Sequence, residues 1–347
     1  MRHSRSVLSV LFVFLAACSA APSQAPGASG PAGTAAATAG GSPAATAAAS
    51  PAQLTAVDFR LNWVIAGNHA PYFLAKQEGL WAECGLDVSM AAGQGSGDTA
   101  QLIANRSQDF GLTDAVSIAA GRVRELPVTG LGVVYQTNPT SIVSKKATGI
   151  TEPADLEGKT FGAVPGGSAY LLGKALMAQN EVDTATVREV TVPAPGIAQL
   201  LSDQVDFITF FGNEAANIDP NPDENLNVMW FKDHGQDIYG LTLATHPDYI
   251  TENPEAVQCF LDGARRGFEA AADDPEAAVD ALEALNPETA ERRAVHQLLL
   301  EGAFEFAGDD LFAQTLEKWT ETQDVLKESG VIETTADVET FFTTEFE

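Results

Sequence analysis

The stretch "VDFITFFGNEAA" ends an apolar run in Phe210-Phe211 and continues with Gly212, Asn213 and Glu214. A carboxylate just beyond the C-terminal end of a buried strand is placed to accept hydrogen bonds from an amino group, and Phe211 beside it offers a ring face. "LNWVIAGNH" supplies a complementary set: Asn62 and Trp63 at a strand end, then Asn68 and His69 at a helix start. The indole stacks on flat rings, while the amide and imidazole give or take hydrogen bonds. "GLTDA" puts Asp114 at another strand end. Two glycine-rich segments open helices where backbone N–H groups can approach a ligand closely. They are "GQGSGDTAQ", with Ser96, Gly97 and Asp98, and "VPGGSAY", with Gly167, Ser168 and Tyr170. Each candidate also has a plainer reading. Trp63 and Tyr170 suit a core, Asn68, Ser96 or Asp98 suit helix caps, and Glu214 suits a solvated helix start.

These candidates hold rings, amides, an imidazole and carboxylates, but no Arg or Lys. Lys145 is the one conceivable cation nearby. Sulfonate, nitrate and phosphate call for fixed positive charge or many N–H donors. The set therefore favours a neutral or amino-bearing heterocycle. No G-x-S-x-G or H-E-x-x-H occurs, and the five histidines and three cysteines lack zinc spacing. Neither catalysis, a metal nor a cofactor is expected. Lys+Arg number 19 against 47 Asp+Glu, a formal charge of −28, so binding of nucleic acid is excluded on electrostatic grounds.

The elements that must position these residues alternate. Strands are expected at "AVDFRLNW", "GLDVSMAA", "DFGLTD" and "PVTGLGVVY", with helices at "HAPYFLAKQEGLWAEC", "GSGDTAQLIANRSQ" and "AVSIAAGRVRE" between them. The pattern restarts with strands at Thr160–Val164, "VREVTV", "VDFITFF", "LNVMWF" and "YGLTLATH", and helices from Gly167 and at "APGIAQLLSDQ". After that only helices follow, among them "LFAQTLEKWTETQDVLKESG" from Leu311 and, last, "DVETFFTTEF". Two α/β units and a helical tail imply two lobes, with ligand at the carboxyl ends of the strands.

The N-terminus is a different material. Arg2 and Arg5 precede an apolar segment, Val7–Ala17, too short to span a bilayer, as in an export signal. Leu15-Ala16-Ala17-Cys18 resembles a bacterial lipobox, which implies cleavage before Cys18 and its diacylation. Residues 19–54 carry no charge, aromatic ring or hydrophobic period and read as a tether. Cys84 and Cys259 remain, either as a disulfide or as two free thiols.

"LNWVIAGNHAPYFLAKQEGLWAECGLDVSM" resembles the first segment of ABC-transporter substrate-binding proteins for taurine, nitrate and thiamine-pyrimidine precursors. The likeness extends through "GSGDTAQLIANRSQDFGLTDA", "ITEPADLEGKTFGAVPGGSA", "LLSDQVDFITFFGNEA" and "NPEAVQCFLDGARRGFEAAADDPEAAVDAL", in order. It implies an α/β, two-lobed periplasmic-binding-protein fold of type II, with a ligand cleft between the lobes and a helical C-terminal tail. The implied organisation is signal peptide 1–17, lipidated tether 18–54, first lobe 55–141, second lobe 142–239, and a return strand with C-terminal helices at 240–347. Hinges are expected near Ser141–Lys145 and Ile238–Thr242. The return of the tail to the first lobe makes a Cys84–Cys259 disulfide an expectation. The implied activity is capture of a small molecule, such as a thiamine pyrimidine precursor, by a monomer on the extracytoplasmic face. It is held to the membrane through its lipid alone and delivers to permease subunits driven by a cytoplasmic ATPase. A sulfonate, nitrate or riboflavin ligand is the alternative. The pyrimidine synthase of the same fold carries a cysteine-rich iron motif that this chain lacks.

Overall fold

In a computed structural model the described residues are 54–165 and 167–346. The expected signal segment, Cys18 and nearly all of the expected tether lie outside them, as does Gly166.

Two five-stranded sheets form the frame. The first joins β1 (Thr55–Arg60), β2 (Leu86–Ala91), β3 (Phe110–Asp114), β4 (Thr129–Val133) and β10 (Leu241–Thr245) in the order β2-β1-β3-β10-β4. The second joins β5 (Thr140–Lys145), β6 (Thr160–Ala163), β7 (Arg188–Thr191), β8 (Phe207–Phe211) and β9 (Leu226–Trp230) in the order β7-β6-β8-β5-β9. The chain crosses between sheets after Val133 and returns after Trp230. The strand following each crossing, β5 or β10, inserts antiparallel between its neighbours, while β1, β2 and β3, and likewise β6, β7 and β8, run parallel. The two sheets thus repeat one topology, and their parallel strands bring carboxyl ends and helix starts together.

The helices are α1 (Ala70–Gln77), α2 (Ser96–Ala104), α3 (Ala115–Val123), α4 (Ser168–Gln179), α5 (Ile197–Leu201), α6 (Pro222–Asn225), α7 (Pro247–Glu252), α8 (Pro254–Asp273), α9 (Pro275–Leu285), α10 (Arg293–Ala307) and α11 (Leu316–Glu328). α8 buries Val257, Phe260, Leu261, Ala264, Phe268 and Ala271, a stripe at helical spacing, and lies with α9 against α1 on one side of the first sheet. α11 packs on α3 at the opposite side and shares a core with Phe161 and Phe207 of the second sheet. Cys84 and Cys259 are joined in a disulfide, Cα–Cα 5.8 Å, between the turn before β2 and α8. Among the described residues no helix is long and apolar enough to cross a membrane.

Four local features depart from expectation. The hinge segment Ser141–Lys145 is itself strand β5, so the first crossing comes earlier. Its sequence, "TSIVSK", reads as polar, yet Ser141 and Ser144 are fully buried, and the Ser141 hydroxyl donates to the Phe210 carbonyl at 3.1 Å. The helix from His69 does not run to Cys84. It ends at Gln77, and the turn continues through Gly79 at φ +72°, a conformation glycine adopts without strain. The helix expected from Leu311 starts only at Leu316, where the Thr315 hydroxyl caps it by accepting from Lys318 N–H. The last expected helix is one 3₁₀ turn, Val338–Thr340, because Phe341 and Phe342 turn inward against Trp319.

Candidate functional site

A cavity of about 320 Å³ opens at the carboxyl ends of the parallel strands of both sheets. The first sheet contributes Asn62 and Trp63 after β1, and Gln94 to Asp98, which enter α2 after β2. The second contributes Val164, Pro165 and Gly167 to Tyr170 around the start of α4, Ala194-Pro195 after β7, and Thr209 to Phe211 with Glu214 at the end of β8. Two helix N-termini, one from each sheet, therefore face one space. Among the described residues no Lys or Arg lines it. Its size is at the lower end of the range for small-molecule sites, about 300–1,000 Å³.

Of the residues expected from sequence, Asn62, Trp63, Ser96, Gly97, Asp98, Gly167, Ser168, Tyr170, Phe211 and Glu214 line the cavity. Asn68, His69, Asp114 and Asn213 do not. Asn68, His69 and Asp114 stand one layer behind and hold residues that do. Asn68 Nδ2 donates to Glu214 Oε1 at 3.0 Å. His69 Nδ1 accepts from Ala66 N–H at 3.2 Å, which leaves Nε2–H to donate to Asn62 Oδ1 at 2.9 Å. Burial drives the His69 pKa down to about 3, so this imidazole is neutral. It occupies the Asn62 oxygen and leaves the Asn62 NH₂ as that residue's remaining polar group. Asp114 caps α3 by accepting from Ser117 N–H at 2.7 Å and also accepts from the Ser168 hydroxyl across the cavity's edge. Burial raises the Asp114 pKa, opposed chiefly by the bond from Ser168. Asn213 turns away, its Nδ2 toward the Gly302 carbonyl at 3.4 Å. Lys145 also falls outside the site, paired with Asp203 at 2.7 Å. Neither Ser96 nor Asp98 caps α2 with its side chain, since Gly95 occupies the cap position at φ +138°.

Glu214 is the chemically distinctive wall residue. It is only 5 % exposed, and burial pushes its pKa up to about 7. The groups facing it are neutral: the Asn68 amide and the Tyr135 phenol, itself held far above its ordinary range chiefly by burial. Among the described residues, Asn68 Oδ1, Tyr72 Oη, Tyr135 Oη and Asn213 Oδ1 find no hydrogen-bond partner. A carboxyl group in neutral, low-dielectric surroundings binds strongly to whatever N–H donor or cation reaches it. Among the described residues no three His, Cys, Asp or Glu side chains form a metal cluster.

Sequence reasoning missed Ala194-Pro195 and Thr209-Phe210. The first pair follows β7, and the strand-end rule that singled out Asn62 and Glu214 applies there equally. Gln94 and Gly95 lie inside "GQGSGDTAQ", where Ser96 and Asp98 carry the more obvious polar groups.

Residues 66–278 match the family described as NMT1/THI5 like. The riboflavin-binding protein RibY of Chloroflexus aurantiacus is 25% identical over 312 residues, 84% of this chain and 86% of that protein. The 4-amino-5-hydroxymethyl-2-methylpyrimidine phosphate synthase of Legionella pneumophila is 22% identical over 229 residues, 65% of this chain and 72% of that protein. Among solved structures, the alkanesulfonate-binding protein SsuA of Xanthomonas axonopodis bound to MOPS superposes with a TM-score of 0.62 at 15% identity, covering 85% of this chain and 99% of that one. SsuA of Escherichia coli gives 0.63 at 15% identity, covering 82% and 91%. These likenesses show the fold: two-lobed, α/β, of the periplasmic-binding-protein type.

Proposed function

Because the chain belongs to the NMT1/THI5-like family, we propose that it is the substrate-binding component of an ABC importer and that it captures a small amino-bearing nitrogen heterocycle, such as a thiamine pyrimidine precursor. The observation that carries this reading is Glu214: a buried carboxyl on the cavity wall with neutral neighbours, near Trp63 and Phe211, in a lining without cations. An exocyclic amino group satisfies that carboxyl by a charge-assisted hydrogen bond, and the ring stacks on the aromatic faces. A sulfonate would find no cation among the described lining residues and would meet Asp98 with like charge.

The lobes, roughly residues 55–139 with 240–347 and residues 140–239, open and close about the two crossings. Ligand biases closure only through contacts made to both lobes. The reading is of a binder and not an enzyme; in its support, among the described residues no histidine lines the cavity beside Ser96 or Ser168. Cys18 is the proposed lipid anchor, which holds a monomer at the extracytoplasmic face beside its permease. Replacing Cys18 with Ser then moves the protein out of the detergent phase or leaves uncleaved precursor; unchanged partitioning refutes the anchor.

Riboflavin is the second reading, favoured by the relative that matches over most of the chain. Calorimetric titration of the detergent-solubilised chain with 4-amino-5-hydroxymethyl-2-methylpyrimidine, riboflavin, taurine and nitrate decides. Tight binding of the pyrimidine alone supports the first reading, of riboflavin the second. Binding of taurine or nitrate alone overturns both.

A further inference from the structure

One side of the cavity is held from outside it. Tyr170, on the first turn of α4, lines the cavity, and its hydroxyl donates to Glu189 Oε1 at 2.9 Å. Glu189 belongs to β7, an edge strand of the second sheet, and touches no part of the cavity. Its other oxygen, Oε2, accepts from Lys174 Nζ at 3.1 Å. Lys174 stands four residues after Tyr170 and so shares its helix face. The Tyr170 ring lies nearly parallel to Phe161, centroids 5.9 Å apart at 15°, and Phe161 stacks in turn on Phe207 at 5.0 Å and 5°.

The ring is thus fixed twice, by an aromatic tier rooted in the core and by a hydroxyl tether to a carboxylate whose second oxygen is itself held. We propose that Glu189 is a positioning residue for ligand capture, setting through the Tyr170 hydroxyl the orientation of a ring that forms the cavity wall. The inference rests on the cavity being the ligand site. As an exposed ion pair, Glu189–Lys174 adds little to stability. Its consequence lies in pre-organisation. A tyrosine free to swing about its two side-chain torsions must be ordered each time ligand binds, and that ordering weakens affinity. Burial, with Glu189 beside it, raises the Tyr170 pKa, so the hydroxyl stays a donor at neutral pH.

The test uses the full chain, with 4-amino-5-hydroxymethyl-2-methylpyrimidine and riboflavin as probes. Glu189→Ala and Tyr170→Phe each remove the tether and keep the wall. Both should weaken binding of the bound probe roughly two- to tenfold, with unchanged melting temperature. The double variant should be no weaker than either single one, because both remove one interaction. Glu189→Gln, which keeps an acceptor for the phenol, should restore most of the loss. Wild-type affinity in Glu189→Ala, with a large loss in Tyr170→Ala, overturns the positioning role and leaves the site intact. Additive losses, or losses that follow a lowered melting temperature, overturn it too. If Tyr170→Ala and Glu214→Gln both bind normally, or the wild type binds neither probe, the functional reading itself falls and this role with it.

Discussion

Asn68 Nδ2 donates to Glu214 Oε1 across 3.0 Å, although 146 residues separate them. Asn68 opens the way into α1 on the first lobe, and Glu214 follows β8 on the second. The bond therefore spans the two lobes behind the cavity wall. A second tie, from the Ser168 hydroxyl to Asp114, spans them at another edge. Each ends on a carboxyl group that burial disfavours in its charged form. The neutral donors Asn68, Ser168 and Ser117 N–H only partly offset that cost. The arrangement suits a site that ligand completes better than one built for stability.

Glu214→Gln keeps the shape and replaces one acceptor oxygen with an NH₂. A hydrogen bond to a charged group contributes about 1.5–3 kcal/mol, so affinity for an amino-bearing heterocycle should fall roughly ten- to hundredfold. Trp63→Ala should cost a similar amount through lost stacking and burial. Titration of both variants, each checked by circular dichroism, measures this. Undiminished binding in both places the ligand elsewhere.

The reading of strand ends and helix starts reached Trp63, Ser168 and Glu214, whose side chains do line the cavity. It reached Asn68, His69, Asp114 and Asn213 equally, yet those point at their neighbours. Position along a strand tells which residues arrive at the cleft. Which way a short polar side chain turns depends on partners far away in sequence, as with Asn213 and Gly302. The repeated α/β alternation was readable because β8, buried on both faces, is an apolar run, while β1 and β2 alternate buried and exposed residues. β5 escaped for the opposite reason: its buried Thr and Ser look like a loop until Phe210 is placed beside them.

Stability should depend on pH through Glu214. Its ordinary value of 4.5 rises to about 7 in the folded chain. Below the lower value both folded and unfolded chains are protonated there, and the full contribution is present. As pH climbs from the lower to the higher value the folded chain holds the extra proton, so stability falls, by at most about 3 kcal/mol, and then levels off. Asp114, also raised, acts in the same direction. Urea denaturation across this window should show the decline, and Glu214→Gln should flatten part of it. A variant with the wild-type slope removes Glu214 as its source.

The Cys84–Cys259 disulfide closes 175 residues, including all of the second lobe. In the loop-entropy view such a closure stabilises by about 5 kcal/mol, an upper figure because unfolded chains retain structure. Replacing both cysteines with Ser should lower the melting temperature by several degrees while leaving ligand affinity nearly unchanged, since both lie away from the cavity. Thiol titration of the unfolded, unreduced chain checks the premise: two free thiols from this pair contradict the bond.

Gly302 on α10 faces the turn that carries Glu214. A Cβ added there would lie 2.7 Å from the Asn213 carbonyl oxygen, closer than real contacts allow, and the obstacle is backbone. Gly302→Ala should favour α10 itself, because alanine is the better helix former. It should nonetheless push α10 away from the Gly212–Asn217 turn and displace Glu214 from Asn68. Overpacking of this kind costs about 1–3 kcal/mol, and here it falls on the arrangement that holds Glu214 at the cavity, so affinity should drop roughly five- to hundredfold. Gly263→Ala is the control. Its Cβ would meet Trp81 Cδ1 at 2.1 Å, inside the first lobe and away from the cavity. That variant should melt earlier yet, at low temperature, bind as the wild type does. Calorimetric titration and thermal melting of the two variants separate the effects. If Gly302→Ala binds normally, the turn adjusts freely and α10 does not hold Glu214 in place.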